Sequence, residues 1–165
     1  MPVAYGSTNG STAQIAQAVA EVMSTAGLAA EARPAASVED VTRYDAVVVG
    51  GGLYAGRRHK DARRFVRRNR RALAERPLWF FSSGPPDASA SEKDILPVPG
   101  VRRAMTRLGA GGHVTFGGCL LEGAEGRIAR MIVRDGKGGD PRDFPAIETW
   151  ATGVAGELNE VRDQG

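Results

Sequence analysis

The 165-residue chain has one cysteine, Cys119, two histidines and only 6% aromatic residues. A single thiol excludes an intramolecular disulfide. His59, His113 and Cys119 also lack metal-ligand spacing, so no metal site is expected. Long apolar runs are missing: residues 47–49 and 78–81 fall far short of the roughly 20 that a membrane-spanning helix requires. The N-terminus carries neither a basic region nor an apolar stretch of the secretory kind, which makes a cytoplasmic location the default expectation. Acidic excess is absent as well, since 22 Lys and Arg against 19 Asp and Glu leave a formal charge of +3. What is present is a globular composition, 42% hydrophobic and 25% charged, in a length suited to one domain. The 22 glycines stand out.

Apolar runs of strand length alternate with stretches of helical period, the pattern of a parallel sheet covered by crossover helices. The fold class is α/β. Strands are expected at residues 2–5, 28–33, 45–50, 78–81 and 113–119. Helices are expected at about 12–26, at 60–75, around Val101, Met105 and Leu108, and at about 143–161. Ser11 and Gln14 form a capping box ahead of Ile15, Val19 and Val22, and Gly27 stands where a helix C-terminus favours glycine. Residues 34–44 leave room for only a turn or two of helix. In the last helix Ile147, Trp150, Ala151, Val154 and Leu158 should face inward. The reading is one domain, 1–165, with a glycine-punctuated insert at about 120–142 after the fifth strand.

Three loops carry the chemistry. Tyr5-Gly6-Ser7-Thr8-Asn9-Gly10-Ser11-Thr12 joins strand 1 to helix 1, where small residues let backbone N–H groups converge on an anion, hydroxyls add donors and the helix dipole favours negative charge. No Gly-Lys-Ser/Thr follows, which disfavours a P-loop nucleotidase. The second loop is Gly50-Gly51-Gly52-Leu53-Tyr54-Ala55-Gly56. Gly50, Gly52 and Ala55 match the dinucleotide fingerprint G-x-G-x-x-A, but strand 4 ends without the acid that would hold a ribose. The third is Ser82-Ser83-Gly84-Pro85-Pro86. Ligands of open α/β sheets sit beyond the carboxyl ends of the strands at a topological switch point, so the three loops should form one site.

Val3, Tyr5, Ser7, Gly10 and Thr12, continued by Ala16 and Val19, resemble the FMN-phosphate loop of flavodoxins. The resemblance implies a three-layer sandwich with a five-stranded parallel sheet of order 2-1-3-4-5 and noncovalent FMN. It also implies that Ser7, Thr8, Asn9, Gly10, Ser11 and Thr12 surround the phosphate. Gly51, Gly52, Leu53, Tyr54, Ala55 and Gly56 would then lie along the isoalloxazine ring, with Tyr54 stacked on it, and Ser82, Ser83, Gly84 and Pro85 would complete the pocket.

Residues 44–50, 54–73 with His59, 80–82, 116–120 and 139–144 leading to Trp150 further resemble the menaquinone-dependent protoporphyrinogen IX dehydrogenases. That resemblance implies an FMN-dependent oxidoreductase that takes a hydride from a porphyrinogen or similar reduced small molecule and passes electrons to a quinone. The alternatives are a flavodoxin-type electron carrier or quinone reductase and, from another class, a flavin-free domain that binds a partner through its basic face. Arg127, Arg130, Arg134 and Lys137 would make one basic stripe on a helix, which suits peripheral contact with an anionic membrane surface. Ten basic residues between Arg57 and Arg76 invite a nucleic-acid reading, yet no recognition motif or stacking aromatics accompany them, and specific nucleic-acid binding is not expected. No catalytic side chain is singled out. His113 and Cys119 read as structural.

Overall fold

The computed structural model describes residues 1–6, 11–54, 57–58, 60–83, 99–116 and 144–164, with backbone alone for residues 11, 52–54, 57 and 58. The expected insert at 120–142 lies outside them. Strand β1 (Pro2–Gly6) leads to helix α1 (Ser11–Thr25), then β2 (Glu31–Pro34) and a single 3₁₀ turn, Ala35–Ser37. After β3 (Val47–Tyr54) come a two-residue β4 (Arg57–Arg58) and the helices α2 (Lys60–Arg68) and α3 (Arg70–Ala74). Strand β5 (Leu78–Ser83), helix α4 (Pro99–Leu108), β6 (Gly112–Phe116) and α5 (Phe144–Gln164) complete the order.

Five strands pair in parallel in the order β2-β1-β3-β5-β6, and β4 pairs antiparallel with the end of β3. Counted over the parallel strands alone, this is the expected 2-1-3-4-5 arrangement. The period-two alternation of each strand divides the interior into two apolar layers. Val3, Val48, Trp79 and Phe81 turn toward α1 and α5, where they meet Ile15, Val19, Met23, Ile147 and Leu158. Ala4, Val47, Val49, Leu78 and Phe80 turn the other way, toward Phe65 of α2, Leu73 of α3 and Val101 and Leu108 of α4. A central strand covered on both faces must be apolar throughout, and Val47, Val48 and Val49 are each 0% exposed. Ile147, Ala151, Val154 and Leu158 are buried as expected, and the half-buried Trp150 packs edge-on to Phe81 and Phe116.

Several boundaries differ from the sequence reading for identifiable reasons. Strand 2 begins at Glu31 rather than residue 28, because Leu28 closes the end of α1. Gly27 adopts φ 89°, the Leu28 N–H donates to the Met23 carbonyl at 3.0 Å, and the Gly27 N–H donates to Ser24 at 3.1 Å. That is the paired hydrogen bond of a helix ending on a left-handed glycine, with buried Leu28 as its apolar contact. The helix expected at 60–75 is two helices. Asn69 interrupts it with φ −102° and ψ 15°, its side-chain amide donating at 3.0 Å to the Phe65 carbonyl that its own N–H also uses. Two arginines then fasten the 38–44 connection to this layer. Arg68 donates to the Val38 carbonyl at 2.6 Å, and Arg76 donates to Tyr44 at 2.8 Å and Thr42 at 2.9 Å.

Candidate functional site

The register of the sheet brings the sequence-predicted segments to one end. Gly6 of β1 stands opposite Gly51 of β3, which stands opposite Ser82 of β5. One residue further, Gly52 is opposite Ser83, and Ser83 is opposite Phe116 of β6. The chain leaves β1 at Gly6 and enters α1 at Ser11, so the N-terminus of α1, whose first-turn N–H groups have no carbonyl to bond within the helix, opens at this same end. Ser7, Thr8, Asn9, Gly10, Ala55, Gly56, Gly84 and Pro85 lie outside the described residues. Ser11 and Thr12 form the first turn of α1, and Gly51, Gly52, Leu53 and Tyr54 form the last four positions of β3.

Two hydroxyls mark the site. Thr12 is 2% exposed and Ser83 5% exposed, and neither side chain has a hydrogen-bond partner among the described residues. Leaving a buried hydroxyl unsatisfied costs about 1–3 kcal/mol, so such groups are exceptions that require a reason. One lies in the first turn of α1 and the other at the end of β5. Together with the helix N–H groups they supply donors and no competing charge: the described residues at these strand ends include no acidic side chain. That donor set suits a phosphate or another oxygen-rich group.

The structure corrects part of the glycine reading. Residues 50–54 are not a loop but the continuation of β3, held by β1 and β5 on either side and by β4 beyond. Gly50 answers to packing, since a Cβ placed there would lie 2.0 Å from Cζ of Phe81. A dinucleotide fingerprint requires a strand that turns at its glycines into a helix, whereas here the strand runs on past Gly50 and Gly52 and is followed by another strand. That rival reading is overturned. Ser82 and Ser83 likewise belong to β5 rather than to the loop after it.

Their alternation separates the two serines. Ser82 is 1% exposed and its Oγ lies 2.9 Å from Nε2 of His113, which stands on β6 two residues before Thr115, the register partner of Ser82. Its hydroxyl is therefore engaged with the α2–α4 side, and Ser83 faces the other way. This pairing of His113 with Ser82 leaves no mark in the sequence pattern, and the cross-strand register reveals it. Titration is perturbed away from the strand ends. Burial pushes the Met1 amine down, and hydrogen bonds from the Thr42 N–H and hydroxyl hold the Asp40 carboxyl below its ordinary value. Among the described residues no group of His, Cys, Asp and Glu could hold a metal ion, and no helix is long and apolar enough to cross a membrane.

The family described as the flavodoxin domain matches residues 2–123. No curated protein sequence matches the chain. Among solved structures, a flavodoxin from the domain Archaea is similar with a TM-score of 0.62 at 12% identity, covering 96% of this chain and 97% of its own. The flavodoxin of Streptococcus pneumonia TIGR4 gives 0.60 at 18% identity over 94% and 97%. The rubredoxin oxygen:oxidoreductase of Desulfovibrio gigas gives 0.62 at 13% identity, covering 96% of this chain but only 36% of that longer one. These likenesses show the fold, and the family match spans most of the sequence. The chain belongs to the flavodoxin domain family.

Proposed function

We infer that this chain is an FMN-dependent electron carrier of the flavodoxin type. The observation that carries the reading is the pair of buried hydroxyls at the carboxyl end of the sheet, Thr12 and Ser83, that find no partner among the described residues. FMN fits that donor set. Thr12 and the opening of α1 would hold its phosphate together with Ser7, Thr8, Asn9, Gly10 and Ser11. The end of β3, from Gly51 to Tyr54, and Ser83 would border the ring. When bound, the isoalloxazine supplies one- or two-electron transfer. The protein's own contribution is to bind and orient: the buried hydroxyls donate hydrogen bonds, the strand ends exclude water from one side, and no side chain is assigned a proton to move.

A second reading is oxidation of a porphyrinogen or similar reduced small molecule with a quinone as acceptor. It is supported by the sequence resemblance at residues 44–50, 54–73, 116–120 and 139–144, and the peripheral membrane contact expected of residues 120–142 belongs with it. The carrier reading draws support from the family match and from the flavodoxins among the structural likenesses. Two measurements separate them. Purified chain should be yellow, release FMN on denaturation, and exchange electrons with small redox dyes. Incubated with protoporphyrinogen and menaquinone, it should show no turnover above the uncatalysed rate. A colourless chain that rejects added FMN would overturn both readings, and quinone-dependent turnover would favour the second.

A further inference from the structure

We propose that the α2–α3–α4 face is a docking surface for an acidic protein. Helices α2, α3 and α4 carry ten cations and one acid, a net +9, whereas α1 and α5 on the opposite side of the sheet carry five acids and one arginine, a net −4. A uniform bias toward arginine would load both layers. Here nine arginines fall on one and a single arginine, Arg162, on the other. All ten cations of the basic layer are exposed, while its apolar positions, Ala62, Phe65, Leu73, Val101 and Leu108, are buried against the sheet. The face therefore offers charge without grease. Such surfaces steer association and give short-lived, salt-sensitive complexes rather than obligate ones.

Its shape and position narrow the partner. Where α2 meets α3, an open depression of about 590 Å³ is lined by Arg67, Arg68, Arg70 and Arg71 together with Asp40 and Thr42. Guanidinium groups present planar forks that match carboxylates in pairs. A concave, arginine-lined surface suits projecting Asp and Glu side chains better than a flat bilayer. Membrane insertion also needs exposed apolar residues, and among the described residues the large ones, Phe144 and Val161, lie on α5 across the sheet. Nucleobases need aromatic platforms, and no described residue of α2, α3 or α4 supplies an exposed ring.

The face also adjoins the candidate site. Helix α2 starts at Lys60, directly after the segment whose Arg57 pairs with Tyr54 at the end of β3, and α4 touches β4. A partner seated along α2 would reach the end of the sheet where Thr12 and Ser83 lie. That this partner is a redox protein rests on the electron-carrier reading above; the docking itself does not.

The test measures association by titration calorimetry, with and without added FMN, so that a chain unable to take FMN still reports on docking. The acidic probe is a plant-type [2Fe–2S] ferredoxin; the competing probes are phosphatidylserine-containing vesicles and a 20-nucleotide single-stranded DNA. The triple variant Arg63→Glu, Arg67→Glu, Arg103→Glu lowers the face from +9 to +3 without touching Arg68 or Arg76, and its circular dichroism verifies folding. Ferredoxin affinity should fall about tenfold or more in the variant, and by a similar factor in the parent chain between about 50 and 300 mM salt. In the parent, amide shifts on ferredoxin addition should map to α2–α4, which reads the proposal even if the variant fails to fold. Unchanged affinity in a folded variant, shifts confined to α1 and α5, or tighter binding of vesicles or DNA than of ferredoxin at equal salt would each overturn it.

Discussion

The two helical layers of this protein are alike inside and opposite outside. Beneath α1 and α5, Ile15, Met23, Phe81 and Ile147 are fully buried; beneath α2, α3 and α4, Phe65, Leu73, Leu78 and Phe80 are equally so. Apolar burial is set by the alternation of the strands, which serves both sides at once, so neither layer can give up its hydrophobic face. The outward positions are free of that constraint, and there one layer is acidic and the other strongly basic. The constraint imposed by the fold ends at the outward positions. Inward residues answer to packing, while outward charge of one sign is crowded despite self-repulsion, which packing does not account for.

Breaking the shared interior should have the largest effect. Gly50→Val would drive a branched side chain into the Phe81 ring, where even a Cβ has no room. Overpacking of this kind costs about 1–3 kcal/mol or more, and backbone in a central strand cannot retreat. We expect little folded protein by near-ultraviolet circular dichroism. A variant of wild-type stability would show that β3 and β5 do not meet in this register.

On the basic side the arginines themselves differ in what they do. Arg76→Ala removes charge-assisted donors from the carbonyls of Tyr44 and Thr42 and should cost about 1–3 kcal/mol by urea denaturation. Arg63→Ala, at an exposed position of α2, should change stability by no more than about 0.5 kcal/mol. Equal losses would mean that the exposed arginines serve the fold rather than an external partner.

The smallest effect concerns Asp40. Thr42 donates to its carboxylate from the backbone at 2.9 Å and from the hydroxyl at 2.7 Å, holding its pKa below the ordinary value. A depressed carboxyl favours the folded state above the usual carboxylate range, and that contribution fades as pH falls through the lowered pKa. Asp40→Asn should therefore slightly lower stability near neutrality, leave it unchanged at low pH, and so flatten the acid limb of the stability profile. An acid limb that steepens would contradict the sign.

Much of this was legible in the sequence because it is a matter of period. The valines of β3, the 3–4 spacing of Ile15, Val19 and Val22, and Gly27 at the end of α1 each report a local rule, and together they fix the order of elements. The site was legible in outline, since strand ends of a parallel sheet gather where the sequence places its small residues. What it hid are facts of pairing. Gly50, Gly51 and Gly52 look like a loop until β1 and β5 flank them, and Ser82 looks like part of a loop until β5 takes it in and β6 brings His113 to its hydroxyl. The break at Asn69 was hidden for a similar reason: a side-chain amide competing for one carbonyl leaves no trace in apolar spacing.

The most direct test is a fluorescence titration of FMN with the flavin-free chain and with Thr12→Val, which keeps the shape of the buried side chain and removes its hydroxyl. The parent chain should quench one FMN stoichiometrically and the variant should bind about tenfold more weakly, both remaining folded. No quenching by the parent, or equal affinity in the two, would contradict the proposal that the buried hydroxyls at the end of the sheet, without partners among the described residues, hold the cofactor.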